Sequence, residues 1–110
     1  MSEPEAVADS KLVRDLIPDL VRANGEVPVT YQADSAEYRH RLRDKLLEEV
    51  DEFLTADPAG AIEELADVLE VVYALAADLG TDQSTLDRIR HTKAAERGAF
   101  ADRVVWQGVR

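Results

Sequence analysis

Two stretches decide the fold: KLLEEVDEF at residues 45–53 and EELADVLEVV at residues 63–72. At ~100° per residue, Leu42, Leu46, Phe53 and Val50 fall within one arc of a helical wheel. With Leu42 at zero, Leu46 lies at about +40°, Phe53 at about +20° and Val50 at about +80°. Glu49 falls at about −20°, inside that apolar stripe. Glu52 stands at its edge, about one turn from Glu49. The second stretch repeats the pattern. Val68, Val71, Val72, Leu75 and Leu79 form an arc, Glu64 lies within it, and Asp67 sits at its edge. Each helix therefore carries an acid pair at i, i+3, the spacing that puts two side chains on one face.

Outward from these stretches, the chain punctuates itself. A long helix is predicted from Asp34 or Ser35, either of which can cap it, to about Ala56. Asp57-Pro58 supplies the cap and first-turn proline of a second long helix, which ends at Leu79 before Gly80. Asp82 to Ser84 offer caps for a further helix running to about Arg97, before Gly98. Upstream, Leu12, Leu16, Leu20 and Val21 recur at helical spacing across 11–24, with Ser10 as a cap. Pro18 makes this either one kinked helix or two short turns. Val27–Tyr31 (VPVTY) and the final VVWQGV are β-branched and aromatic, so both read as extended, with a small two-stranded ribbon between them as an option. Pro28 restricts any such strand to an edge. The fold class is all-α: two long antiparallel helices joined tightly, with additional helices beside them.

The chain has 110 residues, enough for one small domain, read as a flexible tail at 1–10 and a domain at 11–110. Hydrophobic residues make up 45% of it, so a core can form. Three helices bury only a modest core, and oligomerisation through the long helices, as a homodimer or higher, is expected to cover the rest. The net charge of −10 disfavours a nucleic-acid polymer as partner. No cysteine is present, which removes disulfides, thiolate metal sites and a Cys nucleophile. The first ten residues have neither the basic start nor the apolar run of a signal peptide, and no segment suits a bilayer. A cytoplasmic protein without a membrane partner is expected.

An ionised carboxylate on a buried face costs several kcal/mol unless compensated. If the two helices pack antiparallel, Glu49, Glu52, Glu64 and Asp67 converge. A hard divalent cation, Mg²⁺ or alternatively Mn²⁺, relieves their repulsion using oxygen ligands alone. Glu48 is one turn from Glu52 and within reach of a metal-bound water. Glu63, Glu70 and Asp51 read as solvated surface. Among the bases, Lys45 lies one turn before Glu49, Arg90, Lys93 and Arg97 form a stripe on the last helix, and Lys11 and Arg14 add charge near the N-terminus. His40 lies about 13 Å along the helix from Glu49, too far to join its ligand shell. His91 and Arg103 read as surface.

Glu48, Glu49 and Glu52, followed by Glu64 and Asp67, resemble the EExxE…ExxD signature of the all-α nucleotide pyrophosphohydrolases. That superfamily includes MazG, the dimeric dUTPases and phosphoribosyl-ATP pyrophosphohydrolase. KLVRDLIP at 11–18 and KAAERGAF at 93–100 resemble a short phosphoribosyl-ATP pyrophosphohydrolase-like subgroup. Leu16 departs from it, standing where the subgroup carries Lys. The resemblance implies Mg²⁺ on Glu49, Glu52, Glu64 and Asp67. It also implies cleavage of a nucleoside triphosphate between the α and β phosphates, giving a monophosphate and pyrophosphate. Glu48 or one of the ligands would then orient the attacking water; Lys93 and Arg97, which match the closing motif, and Lys45, Lys11 and Arg14 are the candidates to meet the phosphates. Two alternatives stand beside it: hydrolysis of phosphoribosyl-ATP, and a non-catalytic helical module whose acids pair with Arg or Lys across an interface.

Overall fold

Only Ala56 and Asp57 separate the two long helices, so the chain must reverse there for them to pack. In the computed structural model, which describes residues 10–110, α1 spans Ile17–Ala23, α2 Ser35–Thr55, α3 Pro58–Asp78 and α4 Gln83–Arg97. Aspartates cap three of them. The Asp34 carboxylate accepts from the Glu37 N–H at 2.8 Å, Asp57 from Gly60 at 3.0 Å and Asp82 from Thr85 at 2.7 Å. Each satisfies one of the backbone donors that a helix start leaves free. Gly80 and Gly98, at φ of 87° and 80°, take the left-handed conformation that ends α3 and α4.

The α2–α3 hairpin is the centre of the fold, and α4 leans more lightly on α3. Leu42, Val71 and Ala76 are the buried apolar residues among those described. Leu42 lies seven residues before Glu49 on α2, and Val71 seven residues after Glu64 on α3. One antiparallel register thus carries both the apolar contact and, two turns along, the pair of acids. The fold is all-α, as its helical periodicities require. No helix among the described residues is long and apolar enough to cross a membrane.

The chain is elongated, 67 × 34 × 29 Å, with a radius of gyration of 18.6 Å. A compact chain of this length has about 13 Å. Large side chains stay exposed, among them Val29, Phe100 and Trp106.

Two expectations change. The helix read across 11–24 begins only at Ile17, because Pro18 lacks an N–H and fits only in a first turn. Residues 10–16 run instead as a non-helical strap. Val27–Tyr31 and the C-terminal segment do not form a ribbon, and no strand is present among the described residues. Of the tail expected at 1–10, residues 1–9 lie outside the described residues.

Candidate metal centre

The side chain at the middle of the hairpin is an acid. Glu49 is 6% exposed, more buried than Val71. It is held there because its position on α2 is an apolar-stripe position, seven residues from Leu42. Glu64 holds the equivalent position on α3. Carboxylate oxygens of Glu49, Glu64 and Asp67 lie within 4.8 Å of one another, as do those of Glu48, Glu49 and Glu52. Glu49 belongs to both triads. The four acids expected to share one ion therefore form two overlapping groups hinged on Glu49, with Glu52 on the exposed side and Glu48 among the clustered oxygens.

The Oε2 atoms of Glu49 and Glu64 are buried and accept no hydrogen bond from any described residue. Burial pushes the Glu49 carboxyl above the ordinary carboxylate range, despite the Lys45 ammonium 3.2 Å away. Orphaned buried oxygens on two acids that meet across a hairpin are costly without a cation between those acids. The donor set is all oxygen, which suits a hard divalent ion. On both counts the residues present fit one.

Three basic residues already lean on the acids. The strap lays the Lys11 Nζ 2.9 Å from Glu48 Oε1 and the Arg14 guanidinium 2.7 Å from Asp67 Oδ1. Arg14 also reaches Glu70 at 3.7 Å. Lys45, mostly buried, sits between Glu48 at 3.3 Å and Glu49 at 3.2 Å. The Lys11 hydrogen bond holds Glu48 below the ordinary carboxylate range, with Lys45 adding to the effect, and Glu48 in turn raises Lys11. Glu64 and Glu52 have no such pairing among the described residues. The bases thus neutralise part of the cluster and leave Glu64 and the Oε2 of Glu49 without a partner among the described residues.

The strap and hairpin enclose an open groove of about 530 Å³. Leu12, Val13, Leu16, Ile17 and Leu20 form its apolar wall, and Tyr38, Leu42 and Val71 contribute to its lining. Arg14, Lys45, Glu49 and Asp67 supply charge to the same groove. An apolar cleft with a few charged groups is the usual build of a small-molecule site. Leu16 therefore gives the groove an apolar side chain.

Lys93 and Arg97 are exposed on α4. Neither lines this groove or pairs with a cluster acid among the described residues. Sequence reasoning missed two features. Glu70, read as plain surface, lines the groove and shares Arg14. Arg41 is a clasp: it donates to the Ser10 carbonyl at 2.8 Å, to Ser10 Oγ at 3.2 Å and to Glu37 at 3.1 Å, while the Tyr31 hydroxyl donates to the same Glu37 carboxylate. The clasp fixes the start of the strap beside Lys11. Only the i, i+4 spacing of Glu37 and Arg41 was a local signal for it.

Residues 13–93 match the family model described as phosphoribosyl-ATP pyrophosphohydrolase. Over 52 residues the chain is 46% identical to a protein of Mycolicibacterium smegmatis described as uncharacterized, a match covering 47% of this chain and 53% of that protein. The chain thus spans about half the length of the curated relative it matches. No solved structure matches it.

Proposed function

The chain belongs to the phosphoribosyl-ATP pyrophosphohydrolase family, and from that premise we propose that it hydrolyses a nucleoside triphosphate between the α and β phosphates, releasing a monophosphate and pyrophosphate. The observation that carries this reading is the pair of buried, unpartnered oxygens of Glu49 and Glu64 beside Asp67, at a groove of nucleotide size.

Glu49, Glu64 and Asp67 would hold a divalent cation, Mg²⁺ by preference, with Glu52 able to contribute from the exposed side. Such an ion, when bound, neutralises triphosphate charge and acidifies water. The remaining work falls to the chain. Phosphoryl chemistry depends on positioning and charge more than on covalent catalysis. Lys11 and Arg14 stand on the strap with their cationic groups at the acids. Once those acids are otherwise neutralised, both are free to turn to the phosphates. Lys45 is mostly buried between Glu48 and Glu49 and stays at the groove beside them. Glu48, an acceptor on both oxygens, orients the attacking water toward the α-phosphorus after Lys11 leaves it. The apolar wall from Leu12 to Leu20 offers the base a surface to pack on. Lys93 and Arg97 are assigned to the leaving pyrophosphate on the likeness of KAAERGAF to the family's closing motif.

Incubation of the protein with a panel of nucleoside triphosphates and Mg²⁺ tests the reading. Pyrophosphate and a monophosphate are expected, and orthophosphate in their place contradicts it. A second substrate, phosphoribosyl-ATP, follows from the description of the matching family model. Direct comparison of it with ordinary triphosphates, at equal concentration, ranks the two.

A further inference from the structure

The strap of residues 10–16 has few ties to the hairpin it crosses. Among the described residues, its backbone bonds to α2 or α3 only at Ser10, whose carbonyl accepts from Arg41 Nη1 at 2.8 Å. At its other end it runs into α1, where the Ile17 N–H donates to the Arg14 carbonyl at 3.1 Å. Of its side chains only Leu12 is half-buried, and the others are exposed. Two further ties are the ion pairs of Lys11 with Glu48 and of Arg14 with Asp67, the latter shared with Glu70. Glu48 and Asp67 belong to the acid cluster, so these ties are lost when the two bases turn to phosphates.

Arg41 holds the strap without using the cluster. It lies seven residues before Glu48, about 10 Å along α2. Among the described residues its ion pair is with Glu37, one turn back, through Nε at 3.1 Å. Its Nη2 donates to Ser10 Oγ at 3.2 Å and to the Tyr31 hydroxyl at 3.4 Å. That hydroxyl donates in turn to Glu37, so the loop before α2 braces the same pair. Every nitrogen of the guanidinium is engaged, which fits a holder of the strap and not a phosphate contact. A planar fork that grips a carbonyl and a hydroxyl of one residue while Nε holds Glu37 has no equivalent in lysine.

We infer that Arg41 is a positioning residue: its grip on Ser10 keeps the strap on the hairpin when Lys11 and Arg14 leave their acids for the phosphates. The long side chains of these two bases can then swing while the backbone that carries them stays in place. Without the grip, residues 10–16 become an arm tethered only at α1, and both cations lose effective concentration at the groove. The destination of the two bases rests on the hydrolytic reading, whereas the grip itself rests on geometry alone.

Backbone order parameters at Leu12, Val13 and Asp15, from amide nitrogen spin relaxation of the metal-free full chain, read the grip directly. The native chain and the double variant Lys11→Gln with Arg14→Gln should both hold the strap near the rigid value of ~0.85. Adding Arg41→Lys to the double variant should bring it below ~0.6, with helical circular dichroism unchanged. A strap already loose before Arg41 is changed, or still rigid in the triple variant, overturns the inference whatever the chain hydrolyses. With the triphosphate that the chain cleaves best, Arg41→Lys alone should raise KM about tenfold and leave kcat within about twofold. On the double-variant background the same substitution should change KM less than about twofold, because it acts through the two bases. An equal rise on both backgrounds would put Arg41 on the substrate itself and also overturns the inference. A chain that cleaves no triphosphate fails the hydrolytic reading, and the relaxation result then decides the grip alone.

Discussion

Glu49 on α2 and Glu64 on α3 face each other across the helical hairpin, each with a buried carboxylate oxygen that no described donor reaches. The relationship follows from the same register that buries Leu42 and Val71. A position built for an apolar side chain holds an acid on both helices. A divalent ion that binds the folded chain alone must therefore stabilise it. At a hundredfold excess over the dissociation constant, the gain is about 2.7 kcal/mol. Thermal melts with and without Mn²⁺ should show that rise in the native chain and none in Glu64→Gln or Glu49→Gln. Both variants should also lose pyrophosphate release by at least ~100-fold. An equal rise in native and variant proteins counts against a site at these acids.

The strap's ion pairs predict opposite effects from one substitution. Arg14 sits 2.7 Å from Asp67, in a half-exposed pair. Such a pair contributes about 0.2–1 kcal/mol, so Arg14→Gln should tighten divalent-ion binding up to roughly fivefold in the absence of nucleotide. The same variant should raise the KM for the triphosphate about tenfold, through loss of a charge-assisted contact. Calorimetry with Mn²⁺ and steady-state kinetics measure the two halves. Weaker binding of both ion and nucleotide would mean that Arg14 only holds the strap in place.

The helices and the acids were legible in the sequence for local reasons. Asp57-Pro58, Gly80, Asp82 and Gly98 each mark a helix boundary within a few residues of chain, and the i, i+3 acids show on a single helical wheel. The strap was not. Leu12, Leu16 and Leu20 have helical spacing, but Pro18 delays the helix to Ile17, and the periodicity serves a groove wall instead. Nor was the pairing of Lys11 with Glu48, 37 residues apart, since it depends on the Arg41 clasp on Ser10. VPVTY and VVWQGV lie outside the helices and form no strand among the described residues, because β-branched and aromatic composition alone carries no information on whether two such segments meet within one chain.

Leu42 is 2% exposed and belongs to a small buried apolar set. Leu42→Ala should cost about 3–5 kcal/mol, a large share of the stability of a small domain. Chemical denaturation should show the loss as a lower midpoint, with Mn²⁺ recovering part of it. A change below ~1 kcal/mol would mean that the hairpin is held mainly by contacts elsewhere.

Asp82 makes α4 acid-sensitive. The Thr85 N–H, 2.7 Å away, holds its carboxyl below the ordinary aspartate range. A group with a lowered folded value stabilises above its unfolded value and loses that contribution as pH falls through the folded one. The start of α4 should therefore fray as pH drops below the ordinary aspartate range, seen as faster amide exchange at Thr85. In Asp82→Asn, whose side chain caps without titrating, exchange at that amide should lose this acid dependence. An unchanged acid dependence in Asp82→Asn would place the titrating group elsewhere.

Glu49, Glu64 and Asp67 are placed to share one ion. Anomalous diffraction from crystals of the full chain grown with Mn²⁺ addresses it most directly. A peak is expected within direct coordination distance of an oxygen of each of the three carboxylates, with Arg14 drawn away from Asp67. A map with no peak between α2 and α3, and with Arg14 still seated on Asp67 at saturating Mn²⁺, would contradict it.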